Sequence, residues 1–240
     1  MTSRLFKKVA FGLALGTALI APLSLAFAQG APGKEPVKPI KVDPIQHAQG
    51  LTYAVDADIT HDPDNVLLLD LSNGGRVAIR LMPEWAPHHV ERIKALTKEG
   101  FYNGVIFHRV IDGFMAQTGD PTGTGQGGSK LPDLTAEFND IPHLRGTVSM
   151  ARTDEPNSAN SQFFIVFYPR FALDHKYTNF GRVIAGMDIA DAITRGEPPK
   201  NPTKIVQASL ASEGKAPPAP PAAPAPTTFT ADMLSNSQSN

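Results

Sequence analysis

The sequence predicts a mainly-β domain, a closed β-barrel with helices over its ends. Many short apolar runs punctuated by turn residues, only two helical stretches, and no regular alternation of strand with helix carry that prediction. The chain has 240 residues, of which 41% are hydrophobic and 19% charged, enough for one sizeable core in an ordinary soluble protein.

The first element is Val66 to Leu71, followed by Ser72-Asn73-Gly74-Gly75 and then by Arg76 to Leu81, in which Val77, Ile79 and Leu81 alternate with polar or small residues. Asn73-Gly74 tolerates positive φ, so the pair reads as a tight antiparallel hairpin. Pro87 can open a helix whose Val90, Ile93 and Leu96 recur every three residues, and Gly100 can close it. Short apolar runs follow at Val105 to Val110, Phe114 to Thr118, Thr147 to Ala151, Gln162 to Phe167 and Phe180 to Ile184. A second helical stretch near Met187 to Ile193 and a last strand from Lys204 to Leu210 complete the domain, which therefore spans residues 66–210.

The ends have a different composition. In residues 1–28, Arg4, Lys7 and Lys8 precede the apolar run Val9 to Ile20, which continues towards Leu25 and Ala26-Phe27-Ala28, the pattern of a cleaved secretory leader. Its strongly apolar part is shorter than the ~20 residues a membrane span requires, so no stable insertion is expected after cleavage near Gln29. With no cysteine the fold must stand on its own core without disulfides, and no lipid-bearing cysteine follows the leader, so the cleavage pattern without a lipid or membrane anchor makes a bacterial periplasm the expected destination and release from the cell the alternative. Residues 29–65, with Pro32, Pro36, Pro39, Pro44 and Pro63, read as an extended linker, and residues 211–240, with Ala216-Pro217-Pro218-Ala219-Pro220-Pro221, as a disordered tail. Loss of Arg4, Lys7 and Lys8 with the leader takes the formal net charge from -1 to -4, and no basic stripe with interleaved aromatics invites nucleic acid.

Several motifs are tempting and fail on context. Gly123-Thr124-Gly125-Gln126-Gly127-Gly128 matches a dinucleotide fingerprint, but Pro121 precedes it and Leu131-Pro132-Asp133 follows, where a strand and a helix are needed. Ser129-Lys130 reverses the order a phosphate loop requires. The 7 histidines form no recognisable metal site, and His88-His89 diverge on a helix surface. No serine stands in a G-x-S-x-G elbow, and Asp174-His175, as sequence neighbours, are weak grounds for a catalytic dyad.

Three stretches taken together are more specific: Phe107-His108-Arg109-Val110-Ile111-Asp112-Gly113-Phe114-Met115-Ala116-Gln117, Gly146-Thr147-Val148-Ser149-Met150-Ala151-Arg152 and Ser161-Gln162-Phe163-Phe164-Ile165. In order and spacing they resemble the cyclophilin family of peptidyl-prolyl cis-trans isomerases, particularly its bacterial exported members, over about Val66 to Leu210. The resemblance implies a closed eight-stranded antiparallel barrel capped by two α-helices, with a groove on its outer face. It implies Arg109 as the catalytic arginine, with Gln117 holding substrate backbone and supporting it. It places Phe114, Met115, Phe164 and Leu173 around a proline pocket, Ala151 and Gln162 beside the peptide, and Tyr177 where many relatives carry histidine. Ala172 replaces a tryptophan common in eukaryotic members, so cyclosporin is expected to bind weakly at best. The implied partners are proline-containing unfolded or partly folded polypeptides. No metal or cofactor is expected, because isomerisation breaks no bond, and the chain is expected to act as a monomer. A proline-binding holdase without catalysis, and a scaffold acting through the Pro/Ala-rich tail, are the alternatives.

Overall fold

The computed structural model describes residues 53–219. The expected leader, most of the linker and the end of the tail lie outside these residues. Among the described residues are eight strands and two α-helices: β1 (Val66–Leu71), β2 (Arg76–Leu81), α1 (Pro87–Lys98), β3 (Arg109–Ile111), β4 (Met115–Thr118), β5 (Thr147–Met150), β6 (Phe163–Val166), β7 (Asn179–Ala185), α2 (Met187–Asp191) and β8 (Ile205–Leu210). The β1–β2 hairpin turns at Gly74, whose N–H donates to the Leu71 carbonyl at 3.0 Å while the Leu71 N–H donates to Gly75 at 2.8 Å.

Helix α1 starts on Pro87, which has no N–H to leave unsatisfied. The next two N–H groups, of His88 and His89, donate to the Glu137 carboxylate at 3.2 and 3.1 Å, a cap supplied from 49 and 48 residues away. Its buried face of Val90, Ile93 and Leu96 packs into the core, against β7 and β8. Alternate strand residues such as Leu67, Ile79, Val148, Phe163, Ile165 and Phe180 fill the same core, all 0% exposed. Each such side chain contributes about 1.5–3 kcal/mol on burial.

The strands form one antiparallel sheet in the order β3-β4-β6-β5-β7-β2-β1-β8. The sheet curls without closing, which corrects the expectation of a closed barrel: β3 and β8 share no ladder. Their approaches meet at the bridge between Ile106 and Lys204, where the Phe107 N–H donates to Thr203 at 2.9 Å and the Ile205 N–H donates to Val105 at 2.8 Å, and beside it the Gly104 N–H donates to Ile205 at 2.7 Å. The reason lies in the segment that flanks β3. Val110 and Gly196 exchange both backbone hydrogen bonds, at 2.8 and 2.9 Å. Pro198, Pro199 and Pro202 then follow, residues without N–H donors that cannot extend a ladder.

The end of the proline-bearing N-terminal stretch lies against the sheet. Arg80 on β2 is 4% exposed and donates to the carbonyls of Asp56, Asp58 and Asp62 at 3.1, 2.6 and 3.0 Å, and Val55 packs against Met82, Trp85 and Ile141. A buried guanidinium with three backbone acceptors is expensive to leave unpaired. Arg80→Met is therefore expected to lower the unfolding free energy by about 2–4 kcal/mol, read from urea denaturation, and to speed amide exchange at His61 and Asn65. An unchanged midpoint would show that Arg80 does not hold this segment.

Candidate active site

Antiparallel register places the site. Arg109 on β3 faces Gln117 on β4, Gln117 faces Phe164 on β6, and Phe164 faces Ser149 on β5, one row across four strands. Ile111, Met115 and Val166 form the next row on the same face. Their chain neighbours Val110, Ala116, Phe163 and Ile165 point into the core, so these rows lie on the outer face of the sheet. Met115, Phe164 and Val166 make a second apolar cluster there, with Phe114, Ala151, Leu173 and Tyr177 packed against it.

A cavity of about 230 Å³ opens over this cluster, lined by Arg109, Phe114, Met115, Gln117, Ala151, Arg152, Phe164, Leu173 and Tyr177. Eight of the nine residues expected from sequence are among them, and the ninth, Gln162, lines an adjoining depression of about 300 Å³ together with Gln117 and Gly125 to Ser129. Met115 and Phe164 form the floor, at 1% and 4% exposure. Tyr177 meets Phe164 edge to face at 5.6 Å, and Arg152 stacks over Tyr177 at 4.7 Å. Arg170 lies over Phe114 at 5.0 Å.

Arg109 and Gln117 each have a further side-chain partner in the structure. The Gln117 amide donates to Gln162 Oε1 at 2.8 Å, whereas Arg109 donates through Nε to Glu197 at 2.7 Å. No local pattern pointed to Glu197, which lies 88 residues downstream and reaches Arg109 only because Gly196 pairs with Val110.

Two buried polar clusters fix the walls. In the first, the Asp120 carboxylate accepts N–H groups from Thr122, Gly125 and Gly127 at 2.7, 2.6 and 3.1 Å and the Thr122 hydroxyl at 2.7 Å. Gln162 Nε2 donates to the carbonyls of Gly125 and Gly127. The glycine-rich loop is thus wrapped around a carboxylate, and the N–H groups of Gly125 and Gly127, which a phosphate would need, are already engaged. A Cβ on Gly127 would meet Asp120 Oδ1 at 2.2 Å, which explains the glycine there. Burial alone would raise the Asp120 pKa, but the Thr122 hydroxyl and the N–H groups of Thr122, Gly127 and Gly125 outweigh it and bring it down to about 2.

In the second cluster, Asp174 accepts the His143 N–H at 2.9 Å and contacts His143 Nδ1 at 2.8 Å, and His143 Nε2 lies 2.9 Å from Ser149 Oγ. Asp174 pairs with His143, and its neighbour His175 turns to Asp140 at 3.4 Å. The Asp-His-Ser order evokes a hydrolytic triad, yet Ser149 is 0% and His143 1% exposed, and neither lines either cavity. The chain instead ties the turn carrying Leu173 to β5. Burial lowers the His143 pKa, against the opposing pull of Asp174.

Residues 67–210 match the family model for cyclophilin type peptidyl-prolyl cis-trans isomerases. A probable peptidyl-prolyl cis-trans isomerase of Brucella suis is 48% identical over 178 residues, covering 68% of this chain and 90% of that protein. A peptidyl-prolyl cis-trans isomerase-like 1 protein of Aspergillus fumigatus is 42% identical over 149 residues, 58% of this chain and 92% of its own. Among solved structures, a cyclophilin from Hirschia baltica superposes with a TM-score of 0.60 at 34% identity, covering 65% of this chain and 77% of that one. A Cryptosporidium parvum cyclophilin type isomerase, solved in the presence of the dipeptide Ala-Pro, gives 0.57 at 28% identity, covering 60% and 98%.

The depressed Asp120 pKa has a signed consequence. Its carboxylate contributes stability that is present above the ordinary value of 3.8 and is lost as pH falls through about 2. The unfolding free energy of the wild type is expected to fall steeply over that window and that of Asp120→Asn to fall less, as read by urea denaturation at stepped pH. Parallel curves would remove Asp120 from the account of the loop.

Proposed function

The chain belongs to the cyclophilin-type peptidyl-prolyl cis-trans isomerases, and on that footing we propose that it turns X-Pro bonds of exported polypeptides as they fold, with Arg109 stabilising the twisted imide over an apolar proline pocket. The observation that carries this reading is one row of the sheet: Arg109 and Phe164 flank Gln117 on the outer face, beside a cavity of proline's chemistry.

Rotation about an X-Pro bond breaks no covalent bond; the barrier is lost amide resonance, roughly 18–20 kcal/mol for a peptide C–N bond. As the bond twists, the prolyl nitrogen becomes pyramidal and recovers a lone pair that was delocalised in the planar state. A guanidinium beside it can donate to that lone pair in the twisted state and in neither planar one, which is the condition for acceleration. Arginine suits this because its charge is permanent and its donors are rigidly arranged. Met115, Phe164, Phe114 and Leu173 hold the ring while the acyl side turns, Tyr177 supplies an aromatic wall, and Ala151, Gln117 and Gln162 flank the peptide backbone. Uncatalysed isomerisation takes tens of seconds or more, so millisecond turnover needs about 5–7 kcal/mol of differential stabilisation at ~1.4 kcal/mol per decade.

The leader-like composition of residues 1–28 supports action in the periplasm, or outside the cell if the protein is released. Ala172, beside Leu173, supports weak cyclosporin binding, and the Ala-Pro dipeptide of the Cryptosporidium structure supports Ala-Pro sites as substrates. A holdase that binds proline without turning it would have no use for Arg109.

Exchange spectroscopy on a short Ala-Pro peptide, with and without cyclosporin, tests the reading. The wild type is expected to accelerate exchange with little effect of cyclosporin, and Arg109→Ala to lower kcat by roughly 10²–10³ with peptide affinity largely kept. An undiminished rate in Arg109→Ala would exclude the arginine, and tight binding without acceleration by the wild type would favour the holdase.

A further inference from the structure

We propose that Glu197 is a positioning residue for the isomerisation: its carboxylate tethers Arg109 through Nε and leaves the two Nη groups as donors for the twisting imide. The inference rests on the role of Arg109 argued above and extends it to a residue outside the family motifs.

The tether is built into the backbone. Val110 and Gly196 exchange both N–H groups in an antiparallel pair, so Arg109 and Glu197 are the next residues opposite one another across the same edge. Cross-strand neighbours on one face stand close enough for their side chains to meet, and the Nε to Oε2 distance is 2.7 Å. The row through the site thus continues as Glu197, Arg109, Gln117, Phe164. Gly196 is required for this approach: its φ is +143°, and a Cβ there would come 2.6 Å from Pro199 Cα. On the other side of the pair, Arg195 lies over Phe167 at 4.4 Å and donates to the carbonyls of Asp191 and Ile193 and to the Asp112 carboxylate. The segment that carries Glu197 is therefore held by the Val110–Gly196 pair and, just before it, by Arg195.

Energetics argue for orientation over stability. The side chains of Arg109 and Glu197 are 43% and 51% exposed, and an exposed ion pair of this kind contributes only about 0–1 kcal/mol to folding. An untethered arginine, by contrast, spreads over many rotamers, and small misplacements of a catalytic group are costly to rate. Glu197 takes Nε and Arg109 lines the cavity, so the guanidinium edge formed by the Nη groups is the part left to serve it. Because that edge is used in the twisted state, the tether is expected to act on kcat.

The test joins kinetics with a direct readout of the tether. Glu197→Ala is expected to lower kcat about tenfold with KM changed less than about twofold, and Glu197→Gln, which keeps an acceptor oxygen, to recover most of the loss. In an Arg109→Lys background, where no Nε–H exists, Glu197→Ala is expected to cost less than about twofold, a strongly non-additive cycle. The Arg109 Nε–H resonance is expected to be protected in the wild type and in Glu197→Gln, and to exchange rapidly in Glu197→Ala. Thermal melts check that the variants stay folded. An unchanged kcat in Glu197→Ala, a loss confined to KM, or an equal loss in the lysine background would overturn the proposal. An unprotected Nε–H in the wild type would overturn it whatever the rates, while a protected one with an undiminished Arg109→Ala rate would count against the arginine reading alone.

Discussion

The register of β3 against β4, and of β4 against β6, is the constraint on which the site depends. Because side chains alternate faces with period two, pairing Arg109 with Gln117 and Gln117 with Phe164 puts a cation, an amide and an aromatic ring side by side on the outside. A slip of one residue in β3 would send Arg109 towards the core and bring Val110 out. The inward set of Val110, Ala116, Phe163 and Ile165 resists that slip, since all four are buried at 0–1% exposure. The packing that stabilises the sheet is thus also what aims the groove, and a core with no cysteine cross-link does both.

Around that row, the walls are held by buried polar groups whose partners are internal. Asp120 gathers the glycine-rich loop beneath Gln162, and Gln162 passes the restraint to Gln117. Asp174 and His143 fasten the Leu173 turn to Ser149 on β5, the strand paired with Phe164. Both arrangements satisfy groups that would be costly to bury alone, and both leave the apolar floor open. The result is an apolar notch with Arg109 at its rim.

Much of this was legible in the sequence because it is local. The β1–β2 hairpin follows from Asn73-Gly74 and alternation, α1 from Pro87 and its three-residue periodicity, and the groove residues from motifs that sit on adjacent strands. What escaped was non-local. The sheet stays open because Pro198, Pro199 and Pro202, far from β3 in sequence, supply no N–H donors to carry a ladder along its edge. The strand expected from Val105 begins as a ladder only at Arg109, since its earlier residues bond instead to Thr203 and Ile205. Glu197 lies in a proline-rich connection with no motif of its own, and only the Val110–Gly196 pair brings it to Arg109. The glycine-rich loop shows the converse: its pattern imitates a nucleotide site, and the carboxylate that fills it, Asp120, stands just before the pattern begins.

The proposed function stands on a guanidinium presented to the prolyl nitrogen while an apolar floor holds the ring. A crystal structure with an Ala-Pro-containing peptide in the groove tests it most directly. The ring is expected on Met115 and Phe164, with an Arg109 Nη group within about 3 Å of the prolyl nitrogen and Nε still on Glu197. A ring bound elsewhere, or a guanidinium turned away from that nitrogen, would contradict it.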